Sequence, residues 1–247
     1  KMDFLGLRTL TVIHDTELAV RRKDPDFRIA NLDYDDPDTY AMLAKGETEG
    51  IFQLESTGMT QVLVGMRPKN LEDIIALISL YRPGPMDSIP TYLRNRKDPS
   101  HVTYKTPQMA HIVDVTNGVV IYQEQVMQIC RELAGFSFGQ ADNVRRAMSK
   151  KKLKVMEAER EHFVHGCKEP GKECEGCVAN GVPENIANEI YDDMISFASY
   201  AFNKSHAACY AYVAFQTAYL KCHYPHEFMA ALLTSVLDNT SKVIEYT

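Results

Sequence analysis

Two stretches of this chain carry side chains whose types and spacing suit work on phosphate. In Phe202-Asn-Lys-Ser-His206, Asn203 is of the type that caps a helix. Lys204, Ser205 and His206 then fall in the first turn, where free backbone N–H groups and the positive end of the dipole favour an anion. A lysine there opposes the dipole, a conflict that one bound phosphate would resolve. The competing reading is an ordinary cap that opens a core helix. In Asp142-Asn-Val-Arg-Arg-Ala-Met-Ser-Lys-Lys-Lys152, helical spacing puts Asp142, Arg146 and Lys150 along one side with Arg145 and Ser149 beside them. Arginine pairs held rigidly grip phosphate oxygens in bidentate fashion, whereas the same run could be a solvated basic face.

Asp3, in Lys1-Met-Asp-Phe-Leu-Gly-Leu7, is a single carboxylate flanked by large apolar residues. On a strand it would face away from Met2 and Phe4. Carboxylates on a β platform hold Mg²⁺ in two-metal phosphoryl-transfer sites, because hard oxygen ligands suit that ion. A strand-end cap is the alternative. One Asp does not make such a site, so its partners are expected outside this chain. Cys167, Cys174 and Cys177, with His162 and His165 nearby, have the types for zinc. However, two clean ligand pairs are not spaced across separate elements, and their Gly- and Glu-rich setting reads rather as a solvent loop.

The elements that position these groups are mostly helical. Residues 2–5 read as a short strand, and a helical pattern runs from Leu7 to about Arg22. Pro37–Ala44 reads as a short helix and Gly50–Leu54 as strand-like. Asn70, with Asp73 three residues on, opens a helix to Leu80, which Tyr81-Arg-Pro-Gly-Pro85 ends as a rigid turn. Helices are predicted over 88–97, 107–114, 122–134, 139–149 and 152–165. An irregular excursion follows at 166–180. Further helices are predicted from Pro183 to Ser199, from Asn203 to about His223, and from Pro225 to Leu237. The fold class is mainly α with a small β contribution at the beginning.

With 247 residues, 45% of them hydrophobic, the chain suits one or two folded units. Lys1 to Leu7 read as buried structure rather than a secretory signal, so the sequence is expected to be cut from something longer. No run of about 20 uninterrupted apolar residues is present, which predicts a soluble protein without a membrane span. Six cysteines, three of them inside apolar helical patterns, fit a reducing cytoplasm. The net charge of −6 gives no overall nucleic-acid footprint. The distribution does: Arg145 to Lys154 holds six basic residues and no acidic one.

Seven blocks in order resemble the C-family bacterial replicative DNA polymerases. They are Phe4-Leu-Gly-Leu-Arg-Thr-Leu10, Gly50-Ile-Phe-Gln-Leu-Glu-Ser56, Leu80-Tyr-Arg-Pro-Gly-Pro-Met86, Tyr122-Gln-Glu-Gln-Val-Met127, Ala141-Asp with Arg145-Arg-Ala-Met148, Phe202-Asn-Lys-Ser-His206, and Tyr224-Pro-His-Glu-Phe-Met-Ala-Ala231. The resemblance spans nearly the whole chain and is weakest at 166–180. It implies the end of a palm, of nucleotidyltransferase type, over 1–23 and a fingers domain over 24–247. It further implies that Asp3 is the third of three metal-binding palm carboxylates and that Lys1 lies beside the incoming nucleotide. Arg145 and Arg146 would reach the triphosphate, Asn203 to His206 would form part of the nucleotide pocket, and His206 would lie near the sugar and reject a 2′-hydroxyl. Arg82 matches a further family arginine. Ser149 departs from a frequent glycine, which implies a stiffer start to the basic tail.

The implied activity is template-directed DNA synthesis, a metal-dependent nucleotidyl transfer to a primer 3′-hydroxyl with pyrophosphate release. Its implied cofactor is Mg²⁺ in a two-metal site lying partly outside this chain. The implied partners are primer–template DNA and a dNTP, with a sliding clamp and other replisome subunits attaching through regions not in this chain. Two other readings stand beside it: a non-catalytic nucleotide- and DNA-binding fragment lacking the other palm carboxylates, and a zinc-linked docking scaffold.

Overall fold

Thirteen α-helices and no extended strand make up the described residues of the computed structural model, which are 2, 6–150, 152–198 and 202–247. In chain order the helices are α1 (Arg8–Val20), α2 (Pro37–Ala44), α3 (Thr57–Met66), α4 (Leu71–Leu80), α5 (Ile89–Lys97), α6 (Ala110–Val113), α7 (Gln123–Ala134), α8 (Phe138–Ser149), α9 (Leu153–His165), α10 (Glu184–Ala198), α11 (Lys204–His223), α12 (Pro225–Ser235) and α13 (Thr240–Tyr246). The mainly helical class is as expected. Of the strand expected over residues 2–5, residues 3–5 lie outside the described residues, as does Lys1, while Met2 is in no regular element. Met2 and Leu7 are exposed, against the expectation of burial.

The chain forms two compact units, one from Lys1–Ile78 with Ala208–Thr247 and the other from Ser79–Ala207. In the first, α1 turns Val12, Ile13, Thr16 and Val20 to one buried face, the spacing of a single helical stripe. Val12 and Ile13 pack with Phe228, Ala231 and Leu232 of α12. Asp36 caps α2 by accepting from the Thr39 amide at 2.9 Å, and Pro37 takes the first helical position, where its missing N–H costs nothing.

Gly50–Leu54 is not a strand. Ile51 N–H donates to the Thr48 carbonyl and Leu54 N–H to the Ile51 carbonyl, which makes successive turns, and Gly50 and Gln53 both have positive φ. Ile51 and Leu54 are fully buried three residues apart, so the apolar content that suggested a strand serves a turn instead. Helix α3 was not visible as a separate element, because two glycines and β-branched residues lower its intrinsic propensity. It forms because Ser56 caps it and Met59, Leu63 and Met66 are buried.

In the second unit, α7, α8, α9 and α10 share one core. Val126, Ile129 and Leu133 of α7 meet Ala141 and Val144 of α8, Phe163 and Val164 of α9, and Ile190 and Tyr191 of α10. Fully burying one such aliphatic side chain contributes about 1.5–3 kcal/mol, so this packing fixes where α7 and α8 begin and end. The reading of residues 166–180 as a solvent loop holds only for its tip. Cys177 is fully buried in the core, and its N–H donates to the Phe163 carbonyl at 2.8 Å. Gly176 N–H donates to the Ala134 carbonyl. A side chain on Gly166 or Gly176 would collide with backbone at 2.4 and 2.3 Å, so only glycine permits this crossing.

Candidate functional site

The site is built from two helix starts in the second unit. The segments entering α7 and α11 lie parallel at Tyr122 and Phe202. Phe202 N–H donates to the Ile121 carbonyl at 3.4 Å, and Gln123 N–H donates to the Phe202 carbonyl at 3.0 Å. Two backbone hydrogen bonds thus hold together two chain positions separated by about 80 residues of sequence, and both helices start from the same place.

Gln125 anchors the α7 start from within. Its side-chain oxygen accepts from the amides of Ile121 and Tyr122 at 2.8 and 2.9 Å, and its amide nitrogen donates to the Ile112 carbonyl and the Thr116 hydroxyl. Gln125 is buried, so all four bonds replace water rather than compete with it.

At the α11 start, Asn203 is the cap that its type suggests: its side-chain oxygen accepts from the His206 amide at 2.9 Å. The Lys204 amide is met by the carboxylate of Glu124, at 3.0 and 3.2 Å to its two oxygens. An acidic side chain therefore serves the positive end of this helix. The conflict that pointed to a bound phosphate at Lys204 is relieved within the chain itself. The Lys204 ammonium lies 5.3 Å from the centre of the Tyr122 ring.

Arg82 leaves the turn after α4 and sets its guanidinium over the Phe202 ring at 3.7 Å. The His206 ring stands edge-on to the same ring at 5.4 Å. Arg82, Phe202 and His206 thereby stack in one group, with Asn203 and Ser205 exposed beside it.

Helix α8 supplies the other cations. Arg145 gives Nε and Nη2 to Asp142 at 2.9 and 2.7 Å and Nη1 to the Gln123 side-chain oxygen at 3.1 Å. Arg146 gives Nε to the other Asp142 oxygen at 2.6 Å. The hydrogen bond from Arg145, with the charges of both arginines, holds the Asp142 carboxyl below its ordinary range. One carboxylate thus serves two guanidinium groups, and this part of the site keeps a net positive charge.

Arg82, Arg145, Arg146 and residues 203–206 are consequently joined through few links. Arg145 reaches Gln123, the Gln123 backbone reaches Phe202, and Phe202 carries Arg82 and precedes Asn203. Lys1 and Asp3 lie outside the described residues. The residues that make these links, Gln123, Glu124 and Phe202, lie inside two of the blocks that carry the family resemblance, but nothing in the sequence showed that they meet. Among the described residues no three His, Cys, Asp or Glu side chains are placed to hold a metal ion, Cys167, Cys174 and Cys177 included. Cys167 and Cys174 instead exchange backbone hydrogen bonds at 2.9 Å.

Fold and site define a mainly helical domain that gathers arginines and a helix start at one place. A family model described as the finger domain of the bacterial DNA polymerase III alpha subunit matches residues 9–171. DNA polymerase III subunit alpha of Thermus aquaticus is 49% identical over 252 aligned residues, which take in 100% of this chain and 20% of the relative. The protein of the same name from Bacillus subtilis strain 168 is 45% identical over 247 residues, covering 100% of this chain and 21% of its own length. That from Staphylococcus epidermidis strain ATCC 12228 is 45% identical over 243 residues, covering 98% and 22%. The chain belongs to the DNA polymerase III alpha subunit family, as a fingers piece that spans about a fifth of the length of these relatives. Among the described residues no helix is long and apolar enough to cross a membrane.

Proposed function

We propose that this chain is the nucleotide-gripping part of a cytoplasmic, DNA-synthesising alpha subunit, with the end of the palm at 1–23 and the fingers at 24–247. The parent joins a primer 3′-hydroxyl to the α-phosphate of a dNTP on a DNA template, with pyrophosphate leaving. Arg145 and Arg146 bind the triphosphate, and Lys204, Ser205 and His206 on the Asn203-capped turn line the nucleotide pocket, His206 toward the sugar. Arg82 completes the cationic wall. Fixed cations aimed at charge that spreads over the phosphates are what this chemistry needs from a protein.

Asp3 would be one ligand of a two-Mg²⁺ site whose other carboxylates come from elsewhere in the parent, a site that supplies activation of the hydroxyl and neutralisation of the leaving group. Lys1 would stand beside the nucleotide. Primer–template DNA is the partner bound here, and clamp and other replisome subunits attach through other regions. The observation that carries this reading is the bond from Arg145 to Gln123, the residue whose backbone also holds Phe202 at the mouth of α11.

The test is steady-state kinetics of the full-length subunit carrying Arg146→Ala. The expected result is a raised KM for nucleotide and a lowered kcat, and unchanged kinetics would count against the assignment. The 247-residue chain alone, with one of the three carboxylates, is expected to show no Mg²⁺-dependent primer extension.

A further inference from the structure

Gln123 links both helix starts of the site to α8. Its backbone N–H donates to Phe202, its side-chain oxygen accepts from Arg145 Nη1, and the next residue, Glu124, accepts from the Lys204 amide. A guanidinium is a planar fork of five N–H donors. In Arg145 that fork is held on one side by Asp142 through Nε and Nη2 and on the other by Gln123 through Nη1, so the direction of its plane is set.

We propose that Gln123 is a positioning residue for nucleotide binding: it fixes the Arg145 guanidinium relative to the first turn of α11, so that Arg145 meets the triphosphate of a nucleotide whose pocket that turn lines. This rests on the reading of α8 and α11 as the nucleotide-facing helices. A neutral amide suits the task. It orients the guanidinium without adding a second negative charge beside Asp142, and so leaves Arg145 its attraction for phosphate. Asparagine, one methylene shorter, would not span the present 3.1 Å contact.

The test is a double-mutant cycle in the full-length subunit, reading nucleotide KM, kcat and the unfolding midpoint for Gln123→Ala, Arg145→Ala and the pair. Gln123→Ala is expected to raise nucleotide KM roughly tenfold, the scale of one hydrogen bond to a charged group, with the KM for primer–template unchanged. In the Arg145→Ala background the same substitution is expected to change nothing further. Gln123→Met, which fills similar volume without the acceptor, is expected to behave as Gln123→Ala does and serves if the alanine variant folds poorly. A purely structural role would lower the unfolding midpoint and act equally in both backgrounds. Wild-type KM in Gln123→Met, or effects that multiply in the pair, would overturn the proposal while leaving the nucleotide reading intact. If Arg145→Ala itself leaves nucleotide KM unchanged, the nucleotide reading of α8 is at fault and the proposal falls with it.

Discussion

The carboxylate of Glu124 receives the backbone N–H of Lys204 across 80 residues of sequence, at 3.0 Å and 3.2 Å to its two oxygens. A negative group is thereby placed where the α11 dipole is positive, while the Lys204 ammonium lies beside the Tyr122 ring. Glu124→Ala is expected to destabilise the 247-residue chain by about 1–3 kcal/mol, the cost of a part-buried donor left without its acceptor. Glu124→Gln keeps an acceptor and is expected to cost less. Urea unfolding of both variants measures this, and a Glu124→Ala midpoint equal to that of the parent chain would refute it.

Asp142 should make stability fall in acid. Its carboxyl titrates below its ordinary range in the fold, chiefly through the Arg145 hydrogen bond, and near that range when unfolded. A depressed carboxylate contributes stability that is fully present above the unfolded value. That contribution is lost as pH drops through the folded value, which lies below the ordinary carboxylate range. The urea midpoint of the parent chain should therefore exceed that of Asp142→Asn at pH 6, and the gap should narrow by pH 3. A gap independent of pH would show that the pairs with Arg145 and Arg146 do not form.

The six cysteines should react in a set order. Cys209 is exposed, whereas Cys130 and Cys177 are buried in the core of the second unit. Burial pushes the Cys177 thiol up to about 12 and that of Cys130 higher still, so neither presents thiolate at neutral pH. Iodoacetamide at pH 7.5 should label Cys209 quickly and leave Cys130 and Cys177 unmodified until the chain is unfolded. Peptide mass mapping reads this directly. Rapid native labelling at Cys177 would mean that the segment at 166–180 does not bury Cys177 in the core.

Elements with strong local signals were legible in the sequence. Pro37 after Asp36, Asn70 before an apolar run and Asn203 before Lys204 each supply their own cap, and α2, α4 and α11 begin where those residues place them. Segments whose form depends on distant partners were not. Gly50–Leu54 is apolar enough for a strand but folds into successive turns. Residues 166–180 look polar along most of their length, yet two glycines let the backbone pass itself and carry Cys177 into the core. At the site, the arginines and the Asn203 turn could be picked out by charge and capping. Their spacing could not, because it depends on Gln123, Glu124 and Phe202, whose roles exist only once α7 and α11 start side by side.

The central claim is that Arg145 and Arg146 bind the phosphates of an incoming nucleotide whose pocket the α11 start helps to line. Its most direct test is the equilibrium dissociation constant for the correct dNTP at a dideoxy-terminated primer–template, compared between the full-length subunit and its Arg145→Ala/Arg146→Ala variant. The expected result is affinity lowered at least tenfold in the variant, with primer–template affinity kept. Equal nucleotide affinity in the two proteins would contradict it.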